Sequence, residues 1–70
     1  MKKYLVVFHT VYDRPVTGRS EFTDCWLFND VDEAKQWTDE KWMDEDVKDI
    51  QLYEYTGIQY VLFERRHKDA

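Results

Sequence analysis

The sequence predicts an α+β fold: ββαββ, a single antiparallel four-stranded sheet with one helix packed on one face. Three observations predict it. Two β-branched and aromatic runs precede a stretch of helical periodicity, and two more follow it. The helical stretch opens on an acidic cap and carries a narrow apolar stripe. Gly18, Gly57 and Pro15, the only residues of their types, all fall between runs. A helix laid across one sheet is the simplest way for that order to bury its apolar faces.

Residues 3–12, "KYLVVFHTVY", form the first strand, and the breaker-rich "DRPVTGR" forms a loop over residues 13–19. Residues 20–28, "SEFTDCWLF", set Phe22, Trp26 and Phe28 against Thr23, Cys25 and Leu27. That alternation is a second strand, hairpin-paired with the first. Asn29 or Asp30 then caps a helix over residues 30–45, in which Asp30 and Glu33 have the spacing of a capping box. Val31, Ala34, Thr38 and Trp42 make its inner stripe, with Trp37 at the border and Lys41 reaching out from within it. Asp32, Gln36, Asp39, Glu40 and Met43 lie on the outer face. Residues 47–55, "VKDIQLYEY", set Ile50 and Leu52 against Gln51, Tyr53 and Tyr55 in a third strand. Thr56 and Gly57 turn the chain. Residues 58–65, "IQYVLFER", set Ile58, Tyr60 and Leu62 against Val61 and Phe63 in a fourth. The tail "RRHKDA" is expected to fray.

Seventy residues make one domain. A chain of this size buries only roughly 60% of its unfolded surface, so each large side chain matters. Aromatics make up 17% of it, which rules out disorder by composition. Cys25 is the only cysteine, so no disulfide can staple the fold, and the chain reads as cytoplasmic. The opening "MKKYLVVFHT" has too short an apolar run for a signal peptide, and no run approaches the ~20 apolar residues of a membrane span. The net charge of −5 argues against nucleic acid or an anionic membrane as a direct partner. Basic proteins, and above all the nucleic-acid-binding grooves of other proteins, are the electrostatically suited partners.

No catalytic motif, metal-ligand spacing or cofactor fingerprint appears, so the chain reads as a non-enzyme with no catalytic residue, cofactor or metal. Zinc needs three or four ligands at short spacings, and His9 and His67 offer none. Cys25, between Asp24 and Trp26, lacks the positive surroundings that would activate a thiol. Asp24 shares a strand face with Phe22 and Trp26. On a core face its charge needs hydrogen bonds; on an open face it could meet a basic side chain.

Two surfaces are candidates for a partner. A single helix covers one sheet face. Depending on register, the other exposes several of Tyr4, Phe8, Tyr12, Tyr53, Tyr55 and Phe63. An apolar patch of several hundred Å² marks an interface, unless polar side chains and the 13–19 loop cover it. The second candidate is acidic: Asp32, Asp39, Glu40, Asp44, Glu45, Asp46 and Asp49. Within residues 30–49, nine acids against three lysines leave six negative charges, more than the net −5 of the whole chain. Acid in the first turn suits the helix dipole. Asp44, Glu45 and Asp46 oppose it at the other end, each at roughly 0.3–1 kcal/mol in low salt. A local conflict of that kind points to function; the alternative is an acidic surface that keeps an aromatic-rich chain soluble.

The ββαββ order, the small acidic aromatic-rich chain and "FNDVDEAKQW" leading into the helix together resemble small phage and mobile-element accessory proteins. Anti-CRISPR and other anti-defence inhibitors are among them. The resemblance covers the whole chain, as architecture. It implies a non-enzymatic inhibitor in the cytoplasm of a bacterial host. Such a protein docks an acidic surface, in some cases a DNA mimic, onto a basic groove of a host defence or nucleic-acid-processing protein. The alternative is a homodimeric structural or regulatory module that uses the aromatic open face of its sheet.

Overall fold

The computed structural model describes residues 3–68. Its elements come in the expected order: β1 (Tyr4–Arg14), β2 (Gly18–Phe28), α1 (Val31–Trp42), β3 (Val47–Tyr55) and β4 (Tyr60–His67). The strands form one antiparallel sheet of order β2-β1-β3-β4, and α1 packs on one face.

Period-two alternation along β1 divides the molecule. Tyr4, Val6, Phe8 and Thr10 turn toward the helix and are buried; Leu5, Val7, His9 and Val11 turn to the other face. Val47, Ile50 and Leu52 of β3 and Phe28 of β2 complete the floor, and Ala34 and Thr38 of α1 press on it from above. Ala34 is 0% exposed: its short side chain brings the helix backbone close to the sheet. Val31, Trp37 and Trp42 close the sides. The buried Thr38 hydroxyl donates to the Ala34 carbonyl at 2.8 Å, which satisfies it without a partner from the sheet. The predicted inner stripe of the helix is therefore the packed one.

Asp30 is the N-cap, its Oδ1 accepting from the Asp32 N–H at 3.1 Å. The helix ends three residues before the predicted position 45. The N–H groups of Met43 and Asp44 bond back to Glu40 and Lys41, three residues earlier, which tightens the last turn. The Asp44 carboxylate then accepts from the Asp46 N–H at 3.0 Å and steers the chain into β3.

The first hairpin is longer and tighter than predicted. Arg14 pairs with Gly18, so residues 15–17 alone make the loop, and Gly18 supplies the positive φ of 83° that closes it. The expected 13–19 loop is mostly strand and covers neither face. A helix of 12 residues spans about 18 Å. Strands of 11 residues reach about 36 Å. The far half of the hairpin thus extends past the helix, giving a body of 46 × 21 × 19 Å in which β2 buries only Phe28.

The last strand begins two residues later than predicted. Ile58 is 89% exposed in the turn, which Thr56 and Gln59 close and Gly57 makes possible with φ 100°. Two bulges adjust the register, leaving Lys48 of β3 and Phe63 of β4 unpaired opposite their neighbours. The tail expected to fray is ordered as far as Lys68: Arg65, Arg66 and His67 belong to β4, and the Lys68 N–H donates to the Lys48 carbonyl at 2.8 Å. Residues 69 and 70 of that tail lie outside the described residues.

Candidate functional site

Three surfaces emerge: the outer side of the helix with the turn after it, an aromatic flank beside β2, and the sheet face without a helix.

Four lysines around the helix and its following turn form no ion pair with the carboxylates there among the described residues. Lys35 Nζ lies 5.2 Å from the centre of the Phe63 ring, and Lys41 Nζ lies 5.1 Å from Phe8 and 5.6 Å from Trp37. Lys48 Nζ donates to the Glu45 carbonyl at 2.7 Å. Lys68 Nζ donates to the carbonyls of Trp42 and Asp44 at 3.0 and 2.9 Å. The crest of the helix and its following turn therefore carry Asp32, Glu33, Glu40, Asp44, Glu45 and Asp46 with no ion pair among the described residues. Because the turn acids lie beyond the helix and Lys68 answers its free carbonyls, their conflict with the dipole is largely removed.

Two of the predicted acids are not part of this uncompensated set. Asp39 is paired with Arg66 at 2.6 Å, and the pair holds that guanidinium more firmly protonated than usual. Asp49 belongs to the opposite face. Its carboxylate accepts from Arg65 Nε at 3.1 Å and from Gln51 Nε2 at 3.0 Å, and lies 3.2 Å from His67 Nδ1. Burial pushes its pKa up, but those hydrogen bonds outweigh burial and hold it below the usual carboxylate range.

The predicted aromatic interface divides across both faces. Tyr4 and Phe8 are core residues, 8% and 6% exposed, because β1 turns its even-numbered side chains toward the helix. Burial and the neighbouring Glu54, which accepts from the Tyr4 hydroxyl at 3.3 Å, raise the Tyr4 pKa. Tyr12 lies beyond the helix on the same side, against Phe22 at 5.5 Å. Phe63 also faces the helix, under Lys35. Only Tyr53 and Tyr55 belong to the open face. They are joined there by Leu5, Val7, Leu27 and Leu62, which an aromatic-only reading passes over.

The same logic exposes an aromatic flank. Trp26 stacks on Trp37 with ring centres 6.3 Å apart and planes 13° from parallel, yet remains 55% exposed. Phe22 is 45% exposed four pairs further along. Asp24 lies between them and is exposed, its Oδ1 accepting from the Cys25 N–H at 2.8 Å. Cys25 itself is a free thiol on the open face. His9 sits beside Thr23 Oγ1 at 2.9 Å and Glu21 Oε1 at 3.4 Å. Hydrogen bonds from Arg19 and His9 lower the Glu21 pKa.

Among the described residues no group of three or more His, Cys, Asp or Glu is placed to hold a metal ion, and no helix is long and apolar enough to cross a membrane. Surface recesses lie beside Tyr55 and Gly57, and between Val11, Arg19 and Lys48. The chain matches no family model, no curated protein and no solved structure.

Proposed function

We propose that this chain is a non-enzymatic binding protein, a phage-type inhibitor, that docks the acidic crest of its helix and the turn after it onto a basic, nucleic-acid-binding site of another protein. The observation that carries this reading is the inward turn of Lys35, Lys41, Lys48 and Lys68. Their ammonium groups rest on ring faces and main-chain carbonyls, and the carboxylates of Asp32, Glu40, Asp44 and Glu45 carry no ion pair among the described residues. A field of one sign steers an oppositely charged groove into contact and fixes its register. The exposed Trp26 and Phe22 beside the crest supply the apolar anchors that such an interface needs at its centre.

The test is capture from a bacterial lysate at low salt, with elution by duplex DNA and, separately, by salt. Basic nucleic-acid-binding proteins should be retained, and both eluents should release them. Retention of neutral or acidic proteins alone, indifferent to DNA and to salt, would sink the reading.

A further inference from the structure

We propose that the sheet face without a helix is the interface between two copies of this chain. The register lays this face out in cross-strand rows. Leu27, Leu5, Tyr53 and Leu62 form one row, apolar from edge to edge. Cys25, Val7, Gln51 and Arg65 form the next, and Thr23, His9, Asp49 and His67 the one after. Tyr55 and Tyr60 pair on the outer side of the apolar row. Within it Leu27 is 41% and Leu62 51% exposed, although both are cross-strand paired.

Charge selects the occupant. Of the acids on this face, Asp49 is paired with Arg65 and His67 and Glu21 with Arg19 and His9, while Asp13 stands cross-strand from Arg19 at the far end of the hairpin. A strongly basic or acidic partner therefore finds no field of opposite sign here. An identical face finds an apolar row opposite an apolar row, in a self-complementary two-fold contact. The unpaired acids of the helix, Asp32, Glu33 and Glu40, lie on the far side of each copy. With layers about 10 Å apart, two acidic crests would stand roughly 30 Å from each other, about three Debye lengths at 0.1 M salt. The net charge of −5 thus does not oppose this pairing, as it would any pairing through the helix side.

Area and edges agree. Strands of 11, 11, 9 and 8 residues, at about 3.3 Å per residue and 4.8 Å per strand, cover about 600 Å². Two copies would bury about 1,200 Å², the lower end of stable interfaces. Joining through sheet edges is disfavoured. The Asp24 carboxylate occupies the Cys25 N–H on edge strand β2, and β4 carries a bulge at Phe63 followed by Glu64, Arg65 and Arg66. The assembly would be a two-sheet sandwich with an acidic crest on each outer side, able to engage two basic sites at once.

Sedimentation velocity of the full chain over a micromolar concentration series tests this. The mass should rise from 8.6 kDa to twice that value. A double variant, Leu27→Arg with Leu62→Arg, should keep its far-UV spectrum and weaken dimerisation at least about tenfold. Ile58→Arg, in the exposed turn, should leave it unchanged. Cys25 gives an independent readout, because the dimer shields its row. In the wild type its reaction with a chromogenic disulfide should slow at least severalfold as concentration rises; in the double variant it should not. A wild type that stays monomeric throughout overturns the proposal, as does a folded double variant that dimerises normally. Should the double variant unfold, the wild-type thiol series decides alone: a rate independent of concentration rejects the dimer.

Discussion

Lys68 Nζ donates to the main-chain carbonyl of Trp42 at 3.0 Å and stands 4.5 Å from the centre of the same residue's ring. One cation thus answers the free carbonyl at the end of the helix and lies over an aromatic face. It also ties the end of β4 to the far end of α1. Lys68→Ala should lower stability by about 1–2 kcal/mol, and Lys68→Met should recover part of that by keeping the stem against the ring. Urea unfolding measures both. A loss below about 0.3 kcal/mol in the alanine variant would show that the contact is incidental.

The two isoleucines separate core from surface. Ile50 is 1% exposed in the middle of the sheet, and Ile58 is 89% exposed in the second turn. Ile50→Ala should cost about 2–5 kcal/mol, a large share of what a domain this small possesses. Ile58→Ala should change stability by less than about 0.5 kcal/mol. Thermal unfolding monitored by circular dichroism distinguishes them, and equal effects would contradict the packing described here.

Much of this architecture was legible because local signals agreed. Asp30 before the Val31, Ala34 and Thr38 stripe placed the helix start, and the alternation of Ile50 and Leu52 placed β3 to the residue. The open face was harder, since β1 carries apolar side chains on both sides and alternation alone does not say which side meets the helix. The hairpin loop would have decided it. Closing residues 15–17 between Arg14 and Gly18 sets Tyr4 opposite Phe28 and Leu5 opposite Leu27, but "DRPVTGR" allows several loop lengths. The roles of Arg66 and Lys68 were out of reach, because both depend on β4 returning beside β3 and under the end of the helix.

Acid should weaken the open face first. Asp49 has its pKa lowered in the fold, so its contribution to stability is complete above the ordinary carboxylate range and is lost as pH falls through that range and below it. Urea midpoints followed from about pH 6 to pH 3 should therefore drop more steeply in the wild type than in Asp49→Asn. The variant, less stable at neutral pH, should converge on the wild type in acid. Parallel curves would mean that the bonds from Arg65, Gln51 and His67 do not favour the charged carboxylate.

Reversal of acids on the helix side should separate binding from folding, provided the paired acid is left alone. Asp39 holds the half-buried Arg66 at 2.6 Å, so Asp39→Lys replaces an ion pair with a repulsion and should cost about 1 kcal/mol of stability. Glu40 and Glu45 have exposed side chains with no ion pair among the described residues, and their reversal should shift stability by less than about 0.5 kcal/mol. The double reversal Glu40→Lys with Glu45→Lys takes the net charge from −5 to −1, four units from two reversals. If the crest meets a basic groove, that change should weaken binding at least tenfold, about 1.4 kcal/mol, and flatten its salt dependence. If the acid only keeps the chain soluble, partner binding should persist, and the double variant should aggregate more readily as its charge approaches zero. Affinity measured at two salt concentrations, alongside light scattering of the variant alone, tells the two outcomes apart.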